Sequence, residues 1–197
     1  MATTFSLFII ESLAYEDERS RREGRILRDI FKLGGHESQY VYIRTRKELQ
    51  WAMRKFAASR KRYLHISCHG GSSSIDLTLD RLTFDDFAAD VTPYLNKRRL
   101  FMSACAVVNK NLARAMLHGS QCYSLVGPAK SIYFDDAALM WASFYHLMFR
   151  NYATSMNEHA IKVALAKIHD TFQVPFTYYK PIKKRPGYKK VSLPHLL

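Results

Sequence analysis

Two hydrophobic periods alternate along this chain: short, nearly continuous apolar runs, and between them apolar positions at the spacing of amphipathic helices. Phe5–Glu11 reads as a first strand, and Glu18–Leu33 as a charged helix with Ile26, Leu27, Ile30 and Phe31 on its inner stripe. Gly34-Gly35 ends that helix. Gln39–Arg44 alternates as a second strand, and Lys47–Ala58 returns to helical spacing with Leu49, Trp51, Met53 and Phe56. Tyr63–Cys68 is a third strand, almost wholly apolar. Ile75–Leu79 alternates strictly, as a short surface strand with one wet face does.

Thr83 is placed to cap a helix over Phe84–Ala89, with Asp85 and Asp86 in the first turn where they suit the dipole. Leu100–Ala104 is a fourth core strand, Asn109–Leu117 a helix, and Cys122–Val126 a fifth strand stopped by Gly127-Pro128. Helices over Asp135–Phe149 and Asn157–Phe172 follow. Apolar strands alternating with helices predict an α/β fold, a mostly parallel sheet covered on both faces. Beyond Pro175 the pattern predicts one edge strand and then a mobile basic tail. The expected organisation is therefore a main domain over 1–175 and a terminal segment over 176–197.

With 197 residues, 48% of them hydrophobic, the chain can bury one substantial core without dividing. Its three cysteines make no disulfide framework and show no zinc-ligand spacing, which favours a reducing, cytoplasmic setting. Met1–Ile10 has no basic leader and runs straight into Glu11 and the acidic cluster Glu16-Asp17-Glu18, so it reads as a strand and not as a signal peptide. No apolar run approaches the roughly 18–20 residues that cross a bilayer. Membrane insertion is not expected.

The net charge of +13 is partly local, because six cations and no acid lie within Lys180–Lys190. Such a field favours acidic partners, and nucleic acid is one that the tail, Arg19–Arg25 and Arg60–Arg62 allow. No nucleic-acid motif accompanies these residues. The plain reading is a solvated basic surface.

Candidate chemistry sits at the ends of two predicted strands, in Arg62-Tyr-Leu-His-Ile-Ser-Cys-His69-Gly70-Gly71 and Arg99-Leu-Phe-Met-Ser-Ala-Cys105-Ala-Val. Taken singly, a histidine there is most often a turn residue and a buried cysteine a small hydrophobe. Together they fall where open parallel sheets collect ligands, at the carboxyl edge of neighbouring strands. An imidazole beside a thiol can take its proton and make a thiolate nucleophile. The backbone N–H groups of Gly70 and Cys105 can then face an oxyanion, and Gly70 has no side chain to block a carbonyl.

Cys68, next to His69, should point to the opposite face by strand alternation, and Cys122 reads as core. Histidines 36, 65, 118, 146, 159, 169 and 195 lack the paired spacing of metal ligands, so no metal is expected. The stripe Met140, Trp141, Phe144, Tyr145 and Met148 reads as packing.

The order of these landmarks resembles the caspase-like cysteine peptidases of clan CD, and most closely their CHAT-domain branch. The residues that carry the resemblance are Leu64-His-Ile-Ser-Cys-His69-Gly70, Ile75–Leu79, Leu82-Thr-Phe-Asp-Asp-Phe87 and Leu100-Phe-Met-Ser-Ala-Cys105. They continue through Leu112–Leu117, Ser124-Leu-Val-Gly127, Phe134-Asp-Asp-Ala-Ala138 and Phe144-Tyr145. The resemblance implies a caspase-haemoglobinase-like three-layer sandwich, a His69/Cys105 dyad without an obligatory third member, and hydrolysis of a protein substrate through a thioester acyl-enzyme. It implies no cofactor. A regulatory partner protein and a setting in bacterial, including antiviral, defence or regulated cell death are further implications.

Relatives of this kind select a substrate side chain through a pocket, for which Lys130 and Asp135 are candidates toward acidic and basic side chains respectively. Lys130 is equally a loop cation and Asp135 a helix-start residue. One departure stands out: Cys105-Ala-Val-Val-Asn109 has no glycine where such families often place one just after the cysteine. A catalytically inactive interaction module of the same fold, and a binder of nucleic acid or anionic surfaces, are the alternatives.

Overall fold

The computed structural model describes residues 6–151 and 156–194. Met1–Phe5, with the predicted start of the first strand, and His195 lie outside the described residues. In chain order the first elements are β1 (Leu7–Glu11), α1 (Glu23–Leu33), β2 (Ser38–Tyr42), α2 (Arg46–Ala58) and β3 (Tyr63–Ser67). Next come β4 (His69–Gly70), β5 (Ser74–Asp76), β6 (Arg81–Thr83), α3 (Phe84–Val91) and β7 (Arg99–Ser103). The chain continues through α4 (Lys110–Leu117), β8 (Ser124–Pro128), α5 (Phe134–Asn151), α6 (Glu158–Phe172), β9 (Phe176–Pro181) and β10 (Tyr188–Lys190).

Seven strands form one sheet in the order β10-β9-β8-β7-β3-β1-β2. The five strands from β8 to β2 run parallel, and β9 and β10 are added antiparallel. Strand alternation sorts the core into two layers. Phe8, Ile10, Leu64, Ile66, Leu100 and Met102 pack against α2, α3 and α4, while Leu7, Ile9, Tyr63 and Phe101 pack against α1, α5 and α6. This is the three-layer order expected of a caspase-haemoglobinase-type sandwich. A separate antiparallel ribbon, β4-β5-β6, hangs from the end of β3.

Helix starts follow local chemistry. Thr45 and Glu48 form a reciprocal capping box on α2, Thr83 caps α3, Asn109 caps α4 and Asn157 caps α6. Among the described residues no helix is long and apolar enough to cross a membrane.

Several elements differ from the sequence pattern. Helix α1 begins at Glu23 rather than Glu18, because Glu18 is drawn out of helical register into a two-pronged contact with Arg44, at 2.7 Å through both Nε and Nη2. The buried stripe of α1 is then Glu23, Gly24, Leu27 and Phe31, and the predicted inner residues Ile26 and Ile30 are exposed. Trp51 also faces solvent, with the Lys55 ammonium 4.5 Å from its ring centroid. The predicted short surface strand over Ile75–Leu79 is β5, which spans Ser74–Asp76 and belongs to the separate ribbon.

The largest difference is at the chain's end. Phe176–Pro181 lies between β8 and β10, not at the edge, and β10 pairs Lys189 and Lys190 with Lys180 and Tyr179. Tyr178 and Tyr179 bury their rings on opposite faces, which anchors the segment to both core layers. The predicted mobile tail instead turns back after Pro181 and pairs on β9 as β10, which ends at Lys190.

Helix α1 has no side-chain cap from Arg22. Glu11, at the end of β1, takes that place: its Oε1 accepts from the Gly24 N–H at 2.7 Å and its Oε2 from the Tyr40 hydroxyl at 2.7 Å. The approach is close enough that a Cβ on Gly24 would lie 2.9 Å from Ile9 Cγ2. Burial raises the Glu11 carboxyl from 4.5 to about 7, against the lowering effect of both hydrogen bonds.

A raised carboxyl favours the fold in its protonated form, so this contribution is complete below 4.5 and is lost as pH rises through about 7. Denaturant unfolding of wild type and Glu11→Gln across that window is expected to show equal stability at the acid end. Toward the alkaline end the variant should become the more stable, by at most about 3 kcal/mol. A difference that does not change with pH would contradict this assignment.

Candidate functional site

Strands β3 and β7 pair in parallel from Tyr63↔Arg99 to Ser67↔Ser103. The Cys68 N–H extends the contact by donating to the Ser103 carbonyl at 3.1 Å. His69 and Cys105 each stand two residues past the final Ser67↔Ser103 pair, so neighbouring strands deliver them at the same level of the carboxyl edge. The two strands then part, one into β4 and the other into a sharp turn.

That turn places Ala106 in the left-handed region, at φ 53°. A residue with a Cβ is strained there by about 1–2 kcal/mol, and it is the position at which the resemblance leads one to look for glycine. Contacts to the first strand's exit hold the turn. The Asn109 side-chain amide donates to the carbonyls of Ala106 and of Ser72, each at 3.2 Å. Gly70 packs so tightly on this turn that a Cβ would lie 2.6 Å from Val107 Cγ2 and 2.7 Å from the Ser74 carbonyl oxygen.

His69 is partly exposed, with Nε2 3.2 Å from Asp17 Oδ2 and its ring 5.5 Å from Phe134 in an edge-to-face contact. Engagement of Nε2 leaves Nδ1 as the nitrogen available to a second group. Asp17 is itself held by Arg21, at 3.2 Å through Oδ1, and the Arg21 guanidinium lies 4.9 Å from the Phe134 ring centroid. The loop carrying Asp17 is pinned by its neighbour Glu18, whose carboxyl Arg44 holds below the usual carboxylate range.

Cys105 is partly exposed, and its thiol donates to the Ile132 carbonyl at 3.7 Å. One segment, 132–134, therefore touches both residues: Ile132 the sulfur and Phe134 the imidazole. The other two cysteines are buried. Cys68 lies in the opposite core layer, as alternation predicts, and burial drives its thiol far above the ordinary range. Burial likewise pushes Cys122 up to about 12. Of the three, only Cys105 combines access to solvent with a loop setting.

A cleft of about 410 Å³, lined by Arg21, Glu23, Ile26, Tyr133, Phe134 and Asp135 among others, shares Phe134 with the His69 ring contact; neither His69 nor Cys105 lines it. Asp135, in the first turn of α5, is part of this lining, whereas Lys130 is an exposed loop residue outside it. Among the described residues no group of three or more His, Cys, Asp or Glu side chains is arranged to hold a metal ion.

Two acidic residues belong to the site that sequence reasoning did not single out. Asp17 is one; its only signal was membership of the cluster Glu16-Asp17-Glu18. Glu23 is the other, 3% exposed beneath the strand ends. Its Oε2 accepts from Ser67 Oγ at 3.0 Å and Ser103 Oγ at 2.7 Å, and its Oε1 lies 3.2 Å from His65 Nε2. His65 Nδ1 is 2.9 Å from the Tyr145 hydroxyl, and burial keeps that phenol protonated by raising it well above its ordinary value. The proton assignment that satisfies every atom has Tyr145 donating to Nδ1 and Nε2–H donating to Glu23.

No family model matches this sequence, and no curated protein matches it. Similar chain paths occur among solved structures. Caspase-1 from Spodoptera frugiperda is 13% identical, over 85% of this chain and 77% of that chain, with a TM-score of 0.46. The structure named pro-sf-caspase-1 is 13% identical, over 98% of this chain and 89% of that chain, with a TM-score of 0.49. A protein from Geobacter sulfurreducens is 11% identical, over 95% of this chain and 92% of that chain, with a TM-score of 0.47.

The two turns carry opposite expectations for stability. Gly70→Ala forces a Cβ against Val107 and the Ser74 carbonyl and is expected to cost about 1–3 kcal/mol. Ala106→Gly relieves left-handed strain against a smaller loss of chain entropy, for a net gain of about 0.5–1 kcal/mol. Denaturant titration at unchanged slope measures both, and destabilisation by Ala106→Gly would refute the strained turn.

Proposed function

We propose that this chain is a caspase-like cysteine endopeptidase in which Cys105 is the nucleophile and His69 its base. The observation that carries the reading is positional: imidazole and thiol stand at matched steps beyond the last paired residues of adjacent parallel strands, and both contact the segment 132–134. The resemblance in motif order supports it independently of that geometry.

In this reading His69 takes the Cys105 proton, and the sulfur attacks the scissile carbonyl of a protein substrate. The oxyanion that forms is met by the N–H groups of Gly70 and Cys105. As the tetrahedral species collapses, the C–N bond breaks and the imidazolium returns its proton to the leaving amine, leaving a thioester. Water, deprotonated by His69, then releases the acid and restores the thiol. No cofactor enters any step.

Asp17 adds a third member to the expected dyad. By accepting from Nε2–H it fixes the tautomer in which Nδ1 is free to take the proton, and it steadies the imidazolium once formed. The absent glycine does not stand against activity, since the left-handed turn after the cysteine forms at Ala106. Asp135, on the cleft beside Phe134, is the candidate for a basic substrate side chain. The proposed setting is cytoplasmic, with a protein substrate and a regulatory protein partner.

The test is covalent and kinetic together. An electrophilic peptide probe should label Cys105 in the native protein, and Cys105→Ala and His69→Ala should each abolish both labelling and peptide hydrolysis. Asp17→Asn should retain labelling but lower kcat by about 10²-fold, within the range for a misdirected general base. Labelling that survives His69→Ala would remove the pair from the mechanism.

A further inference from the structure

Beneath the strand ends lies a buried polar assembly that the proposed mechanism does not use. After Arg99 at the start of β7, strands β3 and β7 are apolar except on one face, where His65, Ser67 and Ser103 stand in place of hydrophobic residues. All three converge on Glu23, the first residue of α1, which is only 3% exposed. A buried carboxyl group is tolerated only when fully hydrogen-bonded. The cost of that burial asks for an explanation other than core packing.

We infer that Glu23 is a positioning residue: a single oxygen, Oε2, joins the hydroxyls of Ser67 and Ser103 and so sets the offset between the strand ends that deliver His69 and Cys105. Three features make this specific. The two serines are the last paired residues of the two strands, and each is two residues from the group it would position. Up to that level the backbone ladder fixes the register; beyond it one backbone bond, from the Cys68 N–H to the Ser103 carbonyl, precedes the divergence into the ribbon and the Ala106 turn, so the bridge is the side-chain link at the last paired level before the reacting groups. Glu23 is itself fixed from two further directions, by the His65–Tyr145 pair toward α5 and by Glu11 bonding the next residue's N–H, that of Gly24.

The inference rests on His69 and Cys105 working as a pair, and the experiment separates the two claims. The rate of Cys105 alkylation by iodoacetamide, followed by mass spectrometry on native protein, reports the pair without requiring any peptide substrate. Wild type is compared with Ser67→Ala, Ser103→Ala, the double variant and His69→Ala, each checked for folding by thermal melting.

Alanine closely matches serine in volume, and each single variant removes just one donor, so folded material is expected. The double variant should alkylate about tenfold more slowly or worse, since a displacement of about an ångström can cost a hundredfold. Its effect should vanish in a His69→Ala background, and Ser103→Thr, which restores the hydroxyl, should recover most of the lost rate. A role confined to stability would lower the melting temperature and leave the rate of the folded protein unchanged.

Such unchanged rates, with wild type still faster than His69→Ala, would overturn this inference alone. Wild type and His69→Ala reacting equally would overturn the paired reading, and this inference with it.

Discussion

A buried carboxyl group joins the two strand ends on which the candidate site is built. Glu23 accepts from Ser67 and Ser103 at 3.0 and 2.7 Å, and this bridge lies at the last level where β3 and β7 still pair. In a parallel sheet the strands are held side by side by evenly spaced backbone bonds, but nothing in that ladder governs where the chains go once they separate. The carboxyl oxygen adds a side-chain link at the last paired level, beside the bond from the Cys68 N–H to the Ser103 carbonyl. It does so in a dry environment where each hydrogen bond is strong and each missing one is costly.

The same helix start gathers the rest of the site. Glu11 caps α1 in place of a local side chain, which brings Glu23 onto the sheet. The loop before the helix is pinned by Glu18 on Arg44, and the residue preceding Glu18, Asp17, is thereby turned toward His69. Three successive functions, capping, pinning and orienting, are thus carried by acidic residues in a chain whose net charge is +13.

Much of this was legible in the sequence. Runs such as Tyr63–Cys68 and Leu100–Ala104 could be read as buried parallel strands because both faces are apolar, and the parity argument that set Cys68 apart from His69 holds in the structure. What was lost follows from physics that a window of residues does not contain. Glu18 fits a helix by spacing, yet its distant partner Arg44 offers more than another helical turn does, so α1 starts at Glu23 and its stripe rotates, exposing Ile26 and Ile30. Asp17 and Glu23 were hidden for the same reason, since their partners lie 52 residues away at His69 and 80 away at Ser103. A signal did exist for Glu23: serines on one parity at the ends of two apolar strands require a buried polar partner. The lysine-rich end was misread because charge was taken for mobility, whereas Tyr178 and Tyr179 anchor that strand in the sheet.

Whether the imidazole and the sulfur meet above the strand ends is decided most directly by a short bridging reagent. Dibromoacetone can alkylate a thiol and then a neighbouring ring nitrogen only when both lie within the span of its carbon chain. Treated native protein is expected to yield a single cross-linked peptide pair joining Cys105 Sγ to His69, absent after denaturation. Alkylation of Cys105 with no bridge to His69, or a bridge to any other residue, would contradict the proposed pair and the peptidase built on it.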